Sequence, residues 1–443
     1  MLLNVVYLVL ALLALPWVVW RRFAGGRPVA APWLRFTGAI RPLPPTTGAR
    51  IWLHGVSVGE VQLLAVLAAE IRRQAGERGT EIDCVVSSST TTGLEVGEKR
   101  FGVDRVFPCP LDFTWAVNCV LDRVRPDLLV LGELELWPNL LACARRRGIP
   151  VVVANARMSA RSAAGYARIG ALVRGMLGRV ALVAARSAED GARFAAAGAA
   201  HVVVVGSMKF DGVRGDRGAP DVTRLRRLAG FSDTDSVFLA GSTQAPEERL
   251  ALDAFRALHG EHPGLRLVIV PRHVERAAEI ATLLDGASLP WQRRSRLEAD
   301  GAAPAARVLL VDTTGELAWW WGTATVAFVG GSLDGRRGGQ NMLEPAAYGA
   351  AVCFGPHTRN FATEVATLCA ADAATVVGDG AQLAAFVERC LRDPGWAAAR
   401  GVRARETVAS HRGATPATAR LILERLLSHG SVHGRCRPDP DPA

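Results

Sequence analysis

From residue 49 onward the chain alternates short, nearly continuous Val/Ile/Leu runs with stretches of helical length. The first series is IWLH (51–54), DCVVSS (83–88), DLLVLGE (127–133), PVVVAN (150–155), VALVAA (180–185) and HVVVVG (201–206). A strand wetted on one face alternates apolar and polar residues. Runs that are apolar throughout suit strands buried on both faces of a parallel sheet. Parallel neighbours need long crossovers, and 61–74 and 139–147 have helical length and composition. A polar stretch at 211–232, rich in Arg, Asp and Gly, interrupts the pattern. It then restarts with VFLAG (237–241), LRLVIVP (265–271), RVLLVD (307–312), TVAFVG (325–330) and AVCFG (351–355). The pattern predicts two Rossmann-like, doubly wound α/β domains, 49–212 and 233–426, joined by a linker at 213–232. Their carboxyl strand edges are expected to face a cleft, because ligands bind there in such sheets. Residues 427–443, with three prolines, are expected to form a flexible tail.

Hydrophobic residues make up 49% of the chain and charged residues 21%, which excludes disorder, collagen and coiled coil as the main architecture. The eight cysteines form no C-x-x-C pair, so neither a zinc ribbon nor a disulfide framework is indicated. Of the 52 basic residues only Lys99 and Lys209 are lysines, and the net charge is +10. Such a balance suits phosphorylated ligands or an anionic membrane surface. No zinc-finger or RNP-type aromatic motif accompanies it, which argues against nucleic acid. No G-x-G-x-x-G follows a strand and no Gly-Lys-Ser/Thr is present. Asp233-Thr234-Asp235 precedes a strand and reads as turn and capping residues, and no His cluster has metal-ligand spacing. Residues 1–20 carry no charge and Arg21, Arg22, Arg27, Arg35 and Arg41 follow. An apolar run of this length is about long enough to cross the ~30 Å hydrocarbon layer as a helix, and it also suits a helix lying in the membrane surface. Arginines after the run place the bulk of the chain on the cytoplasmic side. The expectation is a membrane anchor helix at 1–20 and a basic juxtamembrane linker at 21–48.

Polar clusters recur where strands end. HGVSVGE puts Glu60 after a strand and a Gly-containing turn, where a carboxylate serves either as a general base or as a first-turn residue favoured by the helix dipole. GELELWPN supplies Glu133 and Glu135, which alternation places on one side of an extended chain. NARMS offers Arg157 as an anion contact. SSSTTTG (87–93) is a hydroxyl run at a helix start, suited to anions or to plain capping. VGSMKFD carries Lys209, a compact point charge in a chain that otherwise uses arginine. The second half repeats the arrangement with GSTQAPEE (241–248), PRH (271–273), DTTGEL (312–317), a Gly-rich loop running to Asn341 and Glu344-Pro345, and GPHTRNF (355–361). Glycines there are expected to expose N–H groups to phosphate, and Glu344 to accept ribose hydroxyls.

Taken together, WLHGVSVGE, GELELWPN, NARMSARS, VVGSMKFD, AGSTQ, PRH, DTTGEL, FVGGSLDGRRGGQN-LEPAA and GPHTRNF resemble the 3-deoxy-D-manno-octulosonic acid (Kdo) transferase family of lipopolysaccharide assembly. The resemblance runs from the N-terminal apolar segment to about residue 425. It implies a GT-B fold and an inverting, metal-independent reaction without a cofactor. It also implies CMP-Kdo as donor, the lipid A precursor (lipid IVA) as acceptor and an inner-membrane location. Glu60 matches the family's catalytic base, and Glu133 and Lys209 match residues assigned to transition-state stabilisation. Pro271 and Arg272, then Thr314, Gly315 and Glu316, then Asn341, Met342, Leu343 and Glu344 match CMP-binding segments. The chain departs from the family at Gln340, where His is usual, at Met342, and in the additional Arg336-Arg337 pair.

Overall fold

The computed structural model describes residues 3–9, 12–13 and 31–428. The chain divides into two compact units, Met1–Gly212 with Arg412–Ala443, and Val213–His411. In the first unit β1 (Ala49–His54), β2 (Ile82–Ser88), β3 (Val106–Pro108), β4 (Leu128–Gly132), β5 (Val151–Ala156), β6 (Leu182–Ala185) and β7 (Val202–Val204) form one sheet in the order 3-2-1-4-5-6-7. In the second, β8 (Ser236–Thr243), β9 (Leu265–Pro271), β10 (Trp291–Arg293), β11 (Val308–Leu310), β12 (Val326–Val329), β13 (Ala351–Phe354) and β14 (Ala374–Val376) run 10-11-9-8-12-13-14. Every pairing is parallel. Each of the eleven apolar runs holds a strand. The three strands outside those runs, β3, β10 and β14, are three-residue edge strands, too short for a pattern.

Every residue of β1, β2, β4 and β5 is buried, as unbroken apolar runs require. Two of the exceptions in composition are paired. The buried Arg50 guanidinium meets Asp83 at 2.7 Å, and the Trp52 indole N–H donates to Ser87 Oγ at 2.8 Å. A buried charge without such a partner would cost several kcal/mol.

Two expected boundaries move. The helix Ala414–Ser428 belongs to the first unit, not to the domain expected at 233–426. Its Ile422, Leu423 and Leu426 share a core with Leu64, Leu67 and Ile71. Asp211, at the end of VGSMKFD, caps its start by accepting from the Gly413 and Thr415 N–H groups, both at 2.6 Å. The stretch expected as a linker at 213–232 is part of the second unit. It contains the helix Pro220–Leu228, whose Val222 and Leu225 are fully buried. Arg217 donates to the carbonyls of Tyr348, Gly322 and Ala324.

Most of the expected anchor at 1–20, and Arg21, Arg22 and Arg27 of the linker, lie outside the described residues, as does the tail beyond Ser428. Residues 3–9 are helical. Among the described residues no helix is long and apolar enough to cross a membrane.

Candidate active site

In a doubly wound sheet the loops diverge where the strand order reverses, which opens a crevice at the carboxyl ends. In the first unit that point is β1 with β4, and the structure puts Glu60 and Glu133 there. Ser57 caps the helix Val58–Gly76 by accepting from the Glu60 N–H. The Glu60 carboxylate is held in turn by the Val56 N–H at 2.8 Å and the Ser57 hydroxyl at 2.7 Å. This is the S-x-x-E arrangement that starts many helices. It also fixes a carboxylate beside the strand ends. Burial raises the Glu60 pKa, the two donors oppose that shift, and the charge of Glu133 adds to it. A Cβ placed on Gly132, at the end of β4, would lie 3.9 Å from Glu60 Oε2.

Glu133 and Glu135 do not sit on an extended chain as expected. Glu133 adopts a left-handed φ of 54°, which ends β4 and turns the loop. Its N–H donates to Ala154 O at 3.0 Å. Glu135 accepts from the Trp137 indole at 3.1 Å, and burial followed by the charges of Glu60 and Glu133 raises its pKa. Asn155, next to Ala154, accepts from the Met208 N–H at 3.1 Å. One tether thus fixes the turn Met208–Phe210 that carries Lys209. Asn155, itself at φ 52°, is a site residue the sequence reading passed over in favour of its neighbour Arg157. His54 is fully buried, with Nδ1 2.9 Å from Ser87 Oγ, and burial lowers its pKa to about 4. It is a neutral core imidazole. Of the hydroxyl run at 87–93, Thr90 caps the helix Thr91–Phe101. A groove of about 550 Å³, lined by Arg72, Arg100 and Arg105, opens at the amino ends of β1 and β2 and contains none of these residues.

In the second unit the reversal lies between β8 and β12, and Glu247 of GSTQAPEE, which the sequence did not single out, occupies it. Glu247 is 2% exposed. Its Oε2 accepts from the N–H groups of Gln244 at 2.9 Å and Gly331 at 2.7 Å, and its Oε1 from those of Ser332 at 3.0 Å and Leu333 at 3.2 Å. These glycine-loop amides were expected to bind phosphate; three of them hold a protein carboxylate. Gly330 is obligatory, because a Cβ there would come within 2.6 Å of both Glu247 Oε2 and Thr243 Cα. GPHTRNF braces the same loop: Arg359 donates to the carbonyls of Gly335 and Arg336, and Asn360 to that of Arg337.

The other expected residues fall into two groups. Glu344 Oε2 accepts from the Trp321 indole at 3.0 Å and its Oε1 from Asn341 Nδ2 at 3.1 Å. Burial raises its pKa, while those donors and the charge of the exposed Arg272 act the other way. Pro271 ends β9, and the Arg272 N–H donates to Thr243 O at 3.0 Å. Glu316 is held by Arg294 at 2.6 and 2.8 Å and by the Thr313 hydroxyl at 2.8 Å. Burial opposes ionisation there, but these partners prevail and lower its pKa. Thr314 and Gly315 are exposed beside it. Met342 and Leu343 are fully buried, so their side chains pack the core and only their backbone is available to a ligand. Arg294 and Trp321, like Glu247, were not foreseen; each acts on a residue that was. Among the described residues no group of three or more His, Cys, Asp or Glu is arranged to hold a metal ion.

Residues 32–212 match the family model "3-Deoxy-D-manno-octulosonic-acid transferase (kdotransferase)". The chain is 35% identical over 423 residues to the 3-deoxy-D-manno-octulosonic acid transferase of Bordetella pertussis, covering 92% of this chain and 95% of the relative. It is 36% identical over 322 residues to that of Haemophilus influenzae, covering 72% and 73%. In fold it is similar to the UDP-GlcNAc 2-epimerase of Neisseria meningitidis, with a TM-score of 0.55 at 12% identity over 86% of this chain and all of that one. Two seven-stranded parallel sheets of this topology form the GT-B architecture. With 35% identity over 92% of its length to one relative and 36% over 72% to another, the chain belongs to the 3-deoxy-D-manno-octulosonic acid transferase family and is a glycosyltransferase.

Proposed function

We propose that this protein is an inverting, metal-independent glycosyltransferase that moves Kdo from CMP-Kdo to the lipid A precursor, lipid IVA, at the cytoplasmic face of the inner membrane. The observation that carries the reading is the Glu60 carboxylate, fixed by the Val56 N–H and the Ser57 hydroxyl and raised in pKa at the strand reversal. A sugar hydroxyl does not ionise at neutral pH, so its attack needs a positioned proton acceptor. Glu60 takes the acceptor's proton. The freed oxygen attacks the anomeric carbon from the face opposite the phosphate, a C–O bond forms, and the bond to CMP breaks with its electron pair leaving on the phosphate.

Charge on the departing phosphate falls to side chains in this reading, because Glu247 already occupies the amides of Gly331, Ser332 and Leu333. Lys209 is assigned to transition-state stabilisation as a compact point charge, and Arg272 to the nucleotide phosphate as a guanidinium. The nucleotide is assigned to the second unit, around Arg272, Thr314, Gly315, Asn341 and Glu344. Membrane attachment is assigned to the apolar N-terminal segment. Mass spectrometry of lipid IVA after incubation with CMP-Kdo and the full chain tests the proposal. A product heavier by one or more Kdo units supports it. Unmodified lipid, with transfer from a UDP-sugar instead, refutes it.

A further inference from the structure

The helix at the N-terminus has its polarity reversed. Its polar residues Asn4 and Tyr7, one turn apart, face the protein, whereas Val5, Val6, Val9, Leu12 and Leu13 are exposed. Asn4 Oδ1 accepts three hydrogen bonds: from the Thr114 N–H and hydroxyl, both at 3.1 Å, and from Asn139 Nδ2 at 3.0 Å. The Tyr7 hydroxyl donates to Asp112 Oδ2 at 3.0 Å, and its ring meets Phe113 edge-on at 5.9 Å. Asp112 is 7% exposed and also accepts from the N–H groups of Asn139, at 2.9 Å, and Leu140, at 2.8 Å. It therefore caps the helix Pro138–Arg146. That helix begins directly after the loop carrying Glu133, Glu135 and Trp137. Two side chains from residues 4–7 thus converge on the anchorage of the acidic loop, more than a hundred positions away in sequence.

We propose that Asn4 and Tyr7 are positioning residues for the Glu133–Trp137 loop, so that the segment assigned to membrane attachment also sets the geometry of the site. A segment serving only as an anchor would be apolar throughout and would make no buried polar contacts to the domain. Asn4 and Tyr7 instead complete a network in which a buried carboxylate has three donors and a helix start has both of its first free amides satisfied. The kinetic consequence rests on Glu60 and Glu133 being the reacting cluster; the structural consequence does not.

The test uses full-length Asn4→Ala and Tyr7→Phe in vesicles of anionic phospholipid. Expected are unchanged vesicle sedimentation, an unchanged KM for CMP-Kdo and a kcat lower by about tenfold or more, since misplacement of a reacting group by ~1 Å costs ~10²-fold. Amide exchange at Asn139 and Leu140 should speed up in Tyr7→Phe, whatever the activity. Asn4→Ala should add little to Asn139→Ala in a double-mutant cycle. Normal kcat and normal exchange in both variants would overturn the proposal. So would a kcat loss that tracks loss of vesicle binding, or additive effects of Asn4→Ala and Asn139→Ala. A parent protein that transfers no Kdo would refute the proposed function, while the exchange measurement would still decide this one.

Discussion

Glu247 receives four backbone N–H bonds, two on each carboxylate oxygen, at a position 2% exposed. In Glu247→Gln one oxygen becomes an amide NH₂, and two of the four N–H donors then face a donor. Each bond to a charged group is worth ~1.5–3 kcal/mol, so losing two removes ~3–6 kcal/mol. Burial raises the Glu247 pKa, which means the ionised side chain carries a desolvation cost that the amide escapes. The expected net loss is therefore about 2–4 kcal/mol, at the upper end of ordinary point mutations. Urea unfolding reads the loss. Amide exchange reads its location, which should be Gly331–Leu333 and not the first unit. The affinity for CMP should fall as well, because the loop between β12 and Asn341 loses its fixed shape. A Gln variant with unchanged unfolding midpoint, slope and CMP affinity would refute the idea that this carboxylate organises the loop.

Further outcomes follow from the same geometry. Glu344→Ala should weaken CMP binding by calorimetry and also lower stability by ~1–3 kcal/mol, since the buried Trp321 N–H loses its acceptor. The base must be ionised to work and burial raises the Glu60 pKa, so kcat/KM should fall on acidification with a midpoint above the ordinary carboxylate range. The Gln variant should lose that limb. Transfer should persist in excess EDTA; a loss restored by magnesium would contradict the metal-independent mechanism.

The sheets were legible because a parallel strand buried on both faces is largely apolar along its length, and β1, β2, β4, β5 and β8 each carry such a nearly continuous run. Edge strands such as β10 have only three half-buried residues and leave no such trace. The boundaries were not legible. The helix Ala414–Ser428 directly follows the second unit in sequence, and the cap from Asp211 that fixes it to the first comes from two hundred residues away. At the site, residues at strand ends were found by position, while those acting through others were not. Glu247 reads in sequence as one more acid in a first helical turn. Its role appears only when the fold brings the amides of 331–333 onto it. Glu133 illustrates the opposite error: two acids two apart suggest an extended chain, but φ 54° at Glu133 turns the loop.

If Glu60 accepts the proton from the acceptor sugar, Glu60→Gln exposes that role when turnover and melting temperature are measured together. The amide preserves the side chain's shape and can still accept the Val56 or the Ser57 hydrogen bond, but it cannot take a proton. Transfer to lipid IVA should slow by ~10²–10⁴-fold or more, with CMP affinity nearly unchanged. Near-normal transfer with a stability loss of only ~0.3–1 kcal/mol would mean that Glu60 serves only the helix start and is not the base.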